Sequence, residues 1–147
     1  MGTAARIRYH RVHAGKSPTE VARQLGLNDA WYHDLEHHDG ELVSTLTLFQ
    51  AIELASALGT QLHSLLGEAT APEERIALTD LPQMIRAHLA STRLSIEQFE
   101  EQVGWELHDF LESPIKVGAE SPIIFLQALA AHLGMNWLSL VPDEHAD

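Results

Sequence analysis

The sequence predicts an all-α protein made of two tandem bundles of about five short helices each. Three observations predict it. Strand-type alternation is absent along all 147 residues, whereas apolar residues recur at three- and four-residue spacing. A helix-start signal occurs twice, Ser17-Pro18-Thr19-Glu20 being matched by Ser95-Ile96-Glu97-Gln98 at an offset of 78. Gly26 matches Gly104 at the same offset, and Leu54-Ala55…Leu58-Gly59 matches Leu129-Ala130…Leu133-Gly134 at an offset of 75. The drift implies a shorter connection in the second copy. Gly67-Glu68-Ala69-Thr70-Ala71-Pro72-Glu73-Glu74 is small, polar and proline-containing, as a linker is. The expected division is a first domain at 1–68, a linker at 69–79 and a second domain at 80–147.

The elements follow in order. Ser17 suits an N-cap, Pro18 the first helical position and Glu20 the third, which together make a capping box. Val21, Ala22 and Leu25 then share a face, and Gly26 stops the helix. Asn28 caps the next helix, in which Tyr32 and Leu35 face the same way. Leu48, Ile52, Ala55 and Leu58 predict a longer helix over about 46–58, ended by Gly59. Leu62, Leu65 and Leu66 make a last turn. In the second copy the apolar positions are Ile85 and Leu89, then Phe99 and Val103, then Phe110 and Leu111. Ser121-Pro122 is expected to cap a helix carrying Ile123, Leu126, Ala130 and Leu133, with Trp137, Leu140 and Val141 after it.

Composition narrows the function classes. There is no cysteine, so a disulfide framework and a thiolate metal site are excluded. No apolar run approaches the ~18 residues of a membrane span. The opening MGTAARIRYHRVHAGKS lacks the apolar core of a secretory signal, so the expected setting is the cytoplasm. Net charge is −12, which argues against generic nucleic-acid binding. The charge is uneven, however. Residues 1–27 carry Arg6, Arg8, Arg11, Lys16 and Arg23 against Glu20 alone, and residues 28–74 contain no Lys or Arg. Residues 71–147 sum to −9. Such asymmetry points to separate surfaces.

The stretch from Ile7 to Leu66 resembles the helix-turn-helix domain of the Cro/phage-repressor, or xenobiotic-response-element, family. The resemblance is carried by Arg11, Gly15, Ser17, Val21-Ala22…Leu25-Gly26-Leu27, Tyr32, Leu35-Glu36, Leu54-Ala55…Leu58-Gly59 and Leu65-Leu66. It implies two tandem lambda-repressor-like helix-turn-helix bundles, the second degenerate. It implies a structural ion pair between Arg11 and Glu36. It also implies that the helix from Asn28 to about His38 enters the major groove, with Asn28, Asp29, Ala30, Trp31, His33 and His37 on the DNA side and Arg6, Arg8 and Lys16 on phosphates.

The sequence departs from that family where DNA would be read. At the positions of Asn28, Asp29, Ala30, Trp31 and His33 the family usually has Ser, Arg, Thr or Gln; this chain has Asp29, then Asp34 and Glu36, with Asp39 and Glu41 following, and a carboxylate near a phosphate is repelled. Pro18 occupies a position that is often a phosphate-contacting Gln. Trp31, large and aromatic in an exposed region, needs a thymine methyl, a protein surface, a dimer mate or the core as its partner.

In the second copy Leu89 replaces Arg11, Glu100 replaces Ala22, and Glu106, Asp109 and Glu112 stand without a cation. Glu100 is too large for close helix packing unless its helix turns. No DNA readout is expected there. Trp105, Phe110, Ile123, Ile124, Phe125 and Trp137 exceed what one small bundle needs and suggest packing against the first copy or a homodimer.

Ten histidines are many for this length. His33 and His37 have chelating i,i+4 spacing and His10 and His13 are i,i+3, but no further ligand stands at motif spacing, so neither metal nor cofactor is predicted. Full protonation would bring −12 to −2, strengthening binding to an anionic partner below about pH 6.5. There is no phosphate-binding glycine loop, nucleophile elbow or His-Glu-x-x-His, so an enzyme is not expected. Two functions remain. One is a DNA-binding transcriptional regulator, with the first copy on DNA and the second used for dimerisation or regulation. The other is an acidic helix-turn-helix scaffold that has lost DNA binding and engages a protein, as an antirepressor, an antitoxin-like protein or a DNA mimic does.

Overall fold

The structure is a computed structural model and describes residues 1–142. Asp143, Glu144 and Asp147, part of the acid surplus of the second copy, lie outside the described residues. Among the described residues there are eleven α-helices, two short 3-10 turns and no strand. The chain divides into two compact units, Met1–Ala71 and Pro72–Asp147.

Unit 1 holds α1 (Thr3–His13), α2 (Pro18–Leu25), α3 (Asp29–His37), α4 (Glu41–Thr45), α5 (Leu48–Ala57) and α6 (Leu62–Leu65). The start of α2 follows its sequence signal. Ser17 Oγ accepts from Glu20 N, and the Glu20 carboxylate accepts from Ser17 N in return. Gly26 ends the helix at φ +71°, a left-handed conformation in which a side chain is strained. Around this pair, α1 packs on α3 and α2 on α5. Ile7, Val21, Tyr32, Leu35, Leu54 and Leu65 close the core, all essentially removed from water. Burying each aliphatic side chain contributes about 1.5–3 kcal/mol.

Two boundaries differ from the sequence reading. The helix expected over 46–58 begins at Leu48, because the Thr47 hydroxyl accepts from Gln50 N and forms a second capping box. Leu46 instead closes α4, a five-residue helix too short to give a periodic signal. The start of α1 has no local side-chain cap. Asp39, from the loop after α3, accepts from Ala4 N at 3.0 Å and fills that role. Its carboxylate lies against Gly2, where a Cβ would collide with it.

Unit 2 opens with a 3-10 turn (Leu78–Asp80) and holds α7 (Leu81–Thr92), α8 (Ile96–Val103), α9 (His108–Glu112), α10 (Pro114–Glu120) and α11 (Ile123–Leu133), then a 3-10 turn (Trp137–Leu140). Ile76 N donates to Ser139 O at 2.9 Å, tying the start of the unit to its end. Two expectations need correction. Glu100 is not a packing misfit, since its carboxylate accepts from Leu107 N at 2.6 Å and satisfies the backbone ahead of α9. Ser121 does not cap α11, because its hydroxyl donates back to Val117 O at 2.7 Å. Of the apolar surplus, Phe110, Ile123 and Phe125 are buried, Phe125 meeting the rings of Phe110 and Trp105 edge to face, whereas Trp105 is exposed and Trp137 half-buried. Ile115 and Ile124 stay exposed.

Candidate functional site

The DNA-contact and ion-pair residues expected in the first copy lie on α1, in the turn after α1, and on α3 with its N-cap Asn28, but they do not form one free surface. Arg11 Nε donates to Glu36 Oε2 at 2.6 Å and Nη2 donates to Oε1 at 3.1 Å, a bidentate pair across α1 and α3. Arg11 Nη1 also donates to Lys16 O at 2.9 Å, fixing the turn between α1 and α2. The hydrogen bond to Glu36 holds the Arg11 pKa above its ordinary value, against the opposing effect of burial. Tyr32 packs beside this pair. Its hydroxyl is buried without a hydrogen-bond partner, and burial first, then the adjacent Glu36 carboxylate, push the phenol well above its ordinary pKa.

Two of the three cations expected on phosphates are engaged inside unit 1. Lys16 Nζ donates to Ala57 O at 2.7 Å and to Gln24 Oε1 at 3.2 Å. It therefore satisfies a carbonyl at the end of α5, where a cation also suits the helix dipole. Arg6 Nη1 donates to Leu65 O at 3.2 Å, and its guanidinium fills the space beside Gly67. Arg8 and Arg23 remain exposed, with no hydrogen bond or ion pair to the described residues.

On α3 the groups are disposed as follows. Asn28 is occupied as the N-cap, its Oδ1 accepting from Trp31 N at 2.7 Å. Asp29, Ala30, His33 and His37 are exposed. The Trp31 partner is internal, for the indole N–H donates to Thr45 Oγ1 at 2.8 Å and the ring is half-buried. His33 and His37 stack with centroids 3.8 Å apart. Asp34 Oδ1 lies 3.9 Å from His38 Nε2. The outward surface of α3 thus carries carboxylates and imidazoles and no Lys or Arg. A shallow groove runs along it, lined by Asp29, His33, Glu36 and His37 on α3 and by Pro18 and Thr19 on α2.

Sequence reading missed three residues with roles here. Asp39 and Thr45 bond to residues 35 and 14 positions away in the chain, and no local pattern reports such contacts. Tyr32 was legible as core, but not as a buried phenol beside an ion pair. Unit 2 holds the one cluster of three potential metal ligands among the described residues, His108, Asp109 and Glu112, all exposed on the five-residue α9. No helix among the described residues is long and apolar enough to cross a membrane. Comparison with protein-family models, curated proteins and solved structures finds no match for this chain.

Proposed function

We propose that unit 1 is a helix-turn-helix scaffold, of the lambda-repressor-like kind its sequence resembles, that recognises a protein through an acidic α3 face. The observation that carries this reading is where the cations go. Duplex DNA is bound chiefly by neutralising phosphates, each contact using a Lys or Arg. Arg6, Arg11 and Lys16 are committed to carbonyls and to Glu36 within the unit. The surface meant for the groove presents Asp29 and Asp34, whose natural partners are the Lys and Arg side chains of another protein. Unit 2, more acidic still and lacking the ion pair, serves dimerisation or contact with the same partner.

A DNA-binding transcriptional regulator is the second reading. One observation favours it: Arg8 and Arg23 stay exposed on α1 and α2. A mobility-shift assay on duplex fragments at low salt, with Arg8→Ala and Trp31→Ala beside the parent protein, separates the two. The protein-recognition reading expects no retarded band from the parent. A band that Arg8→Ala abolishes would establish the second reading instead.

A further inference from the structure

α1 is apolar on two sides. Ala4 and Ile7 are buried in the core of unit 1, as one apolar stripe of a surface helix should be. Ala5, Tyr9 and Val12 form a second stripe at four- and three-residue spacing, and Tyr9 and Val12 stay 48% and 59% exposed. Together with Met1, Arg8 and His13 they line a shallow hollow of about 320 Å³. Met1, Tyr9 and Val12 are three of the seven large apolar side chains left exposed among the described residues. Such side chains scattered singly are ordinary, but three gathered round one hollow mark a contact surface.

The wall of the hollow is held in place. The rings of Tyr9 and His13 lie with centroids 4.0 Å apart, and His13 Nδ1 donates to Tyr9 O at 2.9 Å. His10 meets the Tyr9 ring edge to face at 5.3 Å. An aromatic fixed in this way loses little freedom when a partner covers it. The charge round the hollow has one sign. Residues 1–19 contain no Asp or Glu. The two carboxylates bonded to α1 among the described residues are engaged, Glu36 with Arg11 and Asp39 with the N–H of Ala4. Arg8 stands at the hollow, exposed. Pairing with α1 of a second copy would set two acid-free, cationic faces against each other, and a phosphate backbone would leave Tyr9 and Val12 uncovered. The complementary occupant is apolar at its centre and acidic at its edge.

We propose that this face of α1 docks an amphipathic helix of a partner protein, with an apolar stripe along its centre and Asp or Glu beside the stripe. An apolar side chain of that helix enters the hollow between Ala5, Tyr9 and Val12, and a neighbouring carboxylate pairs with the Arg8 guanidinium. The surface lies on a different helix from the acidic α3 face and has the opposite charge, so it does not rest on the role proposed for α3.

The test is fluorescence anisotropy of a labelled peptide of about 18 residues, built of Leu, Ala and Glu with a single leucine stripe and long enough to be helical alone, titrated with the full-length protein at low salt. It should bind, and a scrambled peptide of the same composition, its stripe dispersed, should bind at least about tenfold more weakly. Val12→Asp and Arg8→Glu should each weaken the striped peptide by at least about tenfold. Ile115→Asp, at an exposed apolar side chain of unit 2, and Asp29→Asn/Asp34→Asn should leave it unchanged. All these side chains are surface-placed, and circular dichroism verifies that each variant folds. The proposal is overturned if the striped peptide does not bind, if the scrambled one binds equally, or if binding is indifferent to Val12→Asp and Arg8→Glu. It is also overturned if sedimentation shows self-association that Val12→Asp abolishes, for the occupant is then a second copy.

Discussion

Arg11 and Glu36 face each other across α1 and α3 in a two-pronged hydrogen-bonded pair, with side-chain exposures of 13% and 5%. A charge so enclosed is tolerable only while its partner is present. Arg11→Ala or Glu36→Ala should therefore destabilise unit 1 by about 3–5 kcal/mol, because each strands a buried charge. Replacing both with apolar residues of similar volume should cost much less than either single change. A double-mutant cycle read by urea denaturation checks this, and additive single and double losses would contradict it.

Tyr32 sets a different balance. Its hydroxyl is buried without a partner, so Tyr32→Phe removes a desolvated polar group and should stabilise unit 1 by about 1 kcal/mol. The sign with pH follows from the raised pKa. The unfolded phenol ionises near pH ~10, while the folded one stays protonated beyond that. Tyr32 therefore leaves stability independent of pH below pH ~10 and lowers it as pH rises above that, where the unfolded phenol ionises and the folded one cannot. Denaturation midpoints measured from neutral to alkaline pH should fall less steeply for Tyr32→Phe than for the parent.

Lys16 and Arg8 differ by one being engaged and the other free. Lys16→Met keeps the aliphatic stem but removes the bond to Ala57 O, and should cost about 1 kcal/mol at the end of α5. Arg8→Ala should change stability by less than ~0.5 kcal/mol, as exposed substitutions usually do. Thermal melts of the two variants make the comparison.

Three of the eleven helix starts among the described residues could be read from sequence because a cap is a local event. Ser17, Asn28 and Ser95 lie within three residues of the N–H groups they satisfy. Gly26 and Gly104 were legible for the same reason, each ending its helix at positive φ. What stayed hidden was long-range or short-lived in sequence. Asp39 caps a helix 35 residues earlier, Lys16 a helix end 41 residues later, and α4 and α10 span only five and seven residues. The site was therefore legible as a list of side chains but not in their state of engagement. The basic segment at 1–27 looked free, and its charge is largely spent on holding unit 1 together.

The central claim is that α3 meets a basic protein surface and not a phosphate backbone. Its most direct measurement is fluorescence anisotropy of labelled oligolysine and of labelled duplex DNA, each titrated with the protein at low salt. Oligolysine should bind, and Asp29→Asn/Asp34→Asn should weaken it more than Glu97→Gln/Glu101→Gln, which removes equal charge from unit 2. Duplex DNA should not bind. Tight DNA binding that falls with salt, or oligolysine binding indifferent to the α3 carboxylates, would contradict the account.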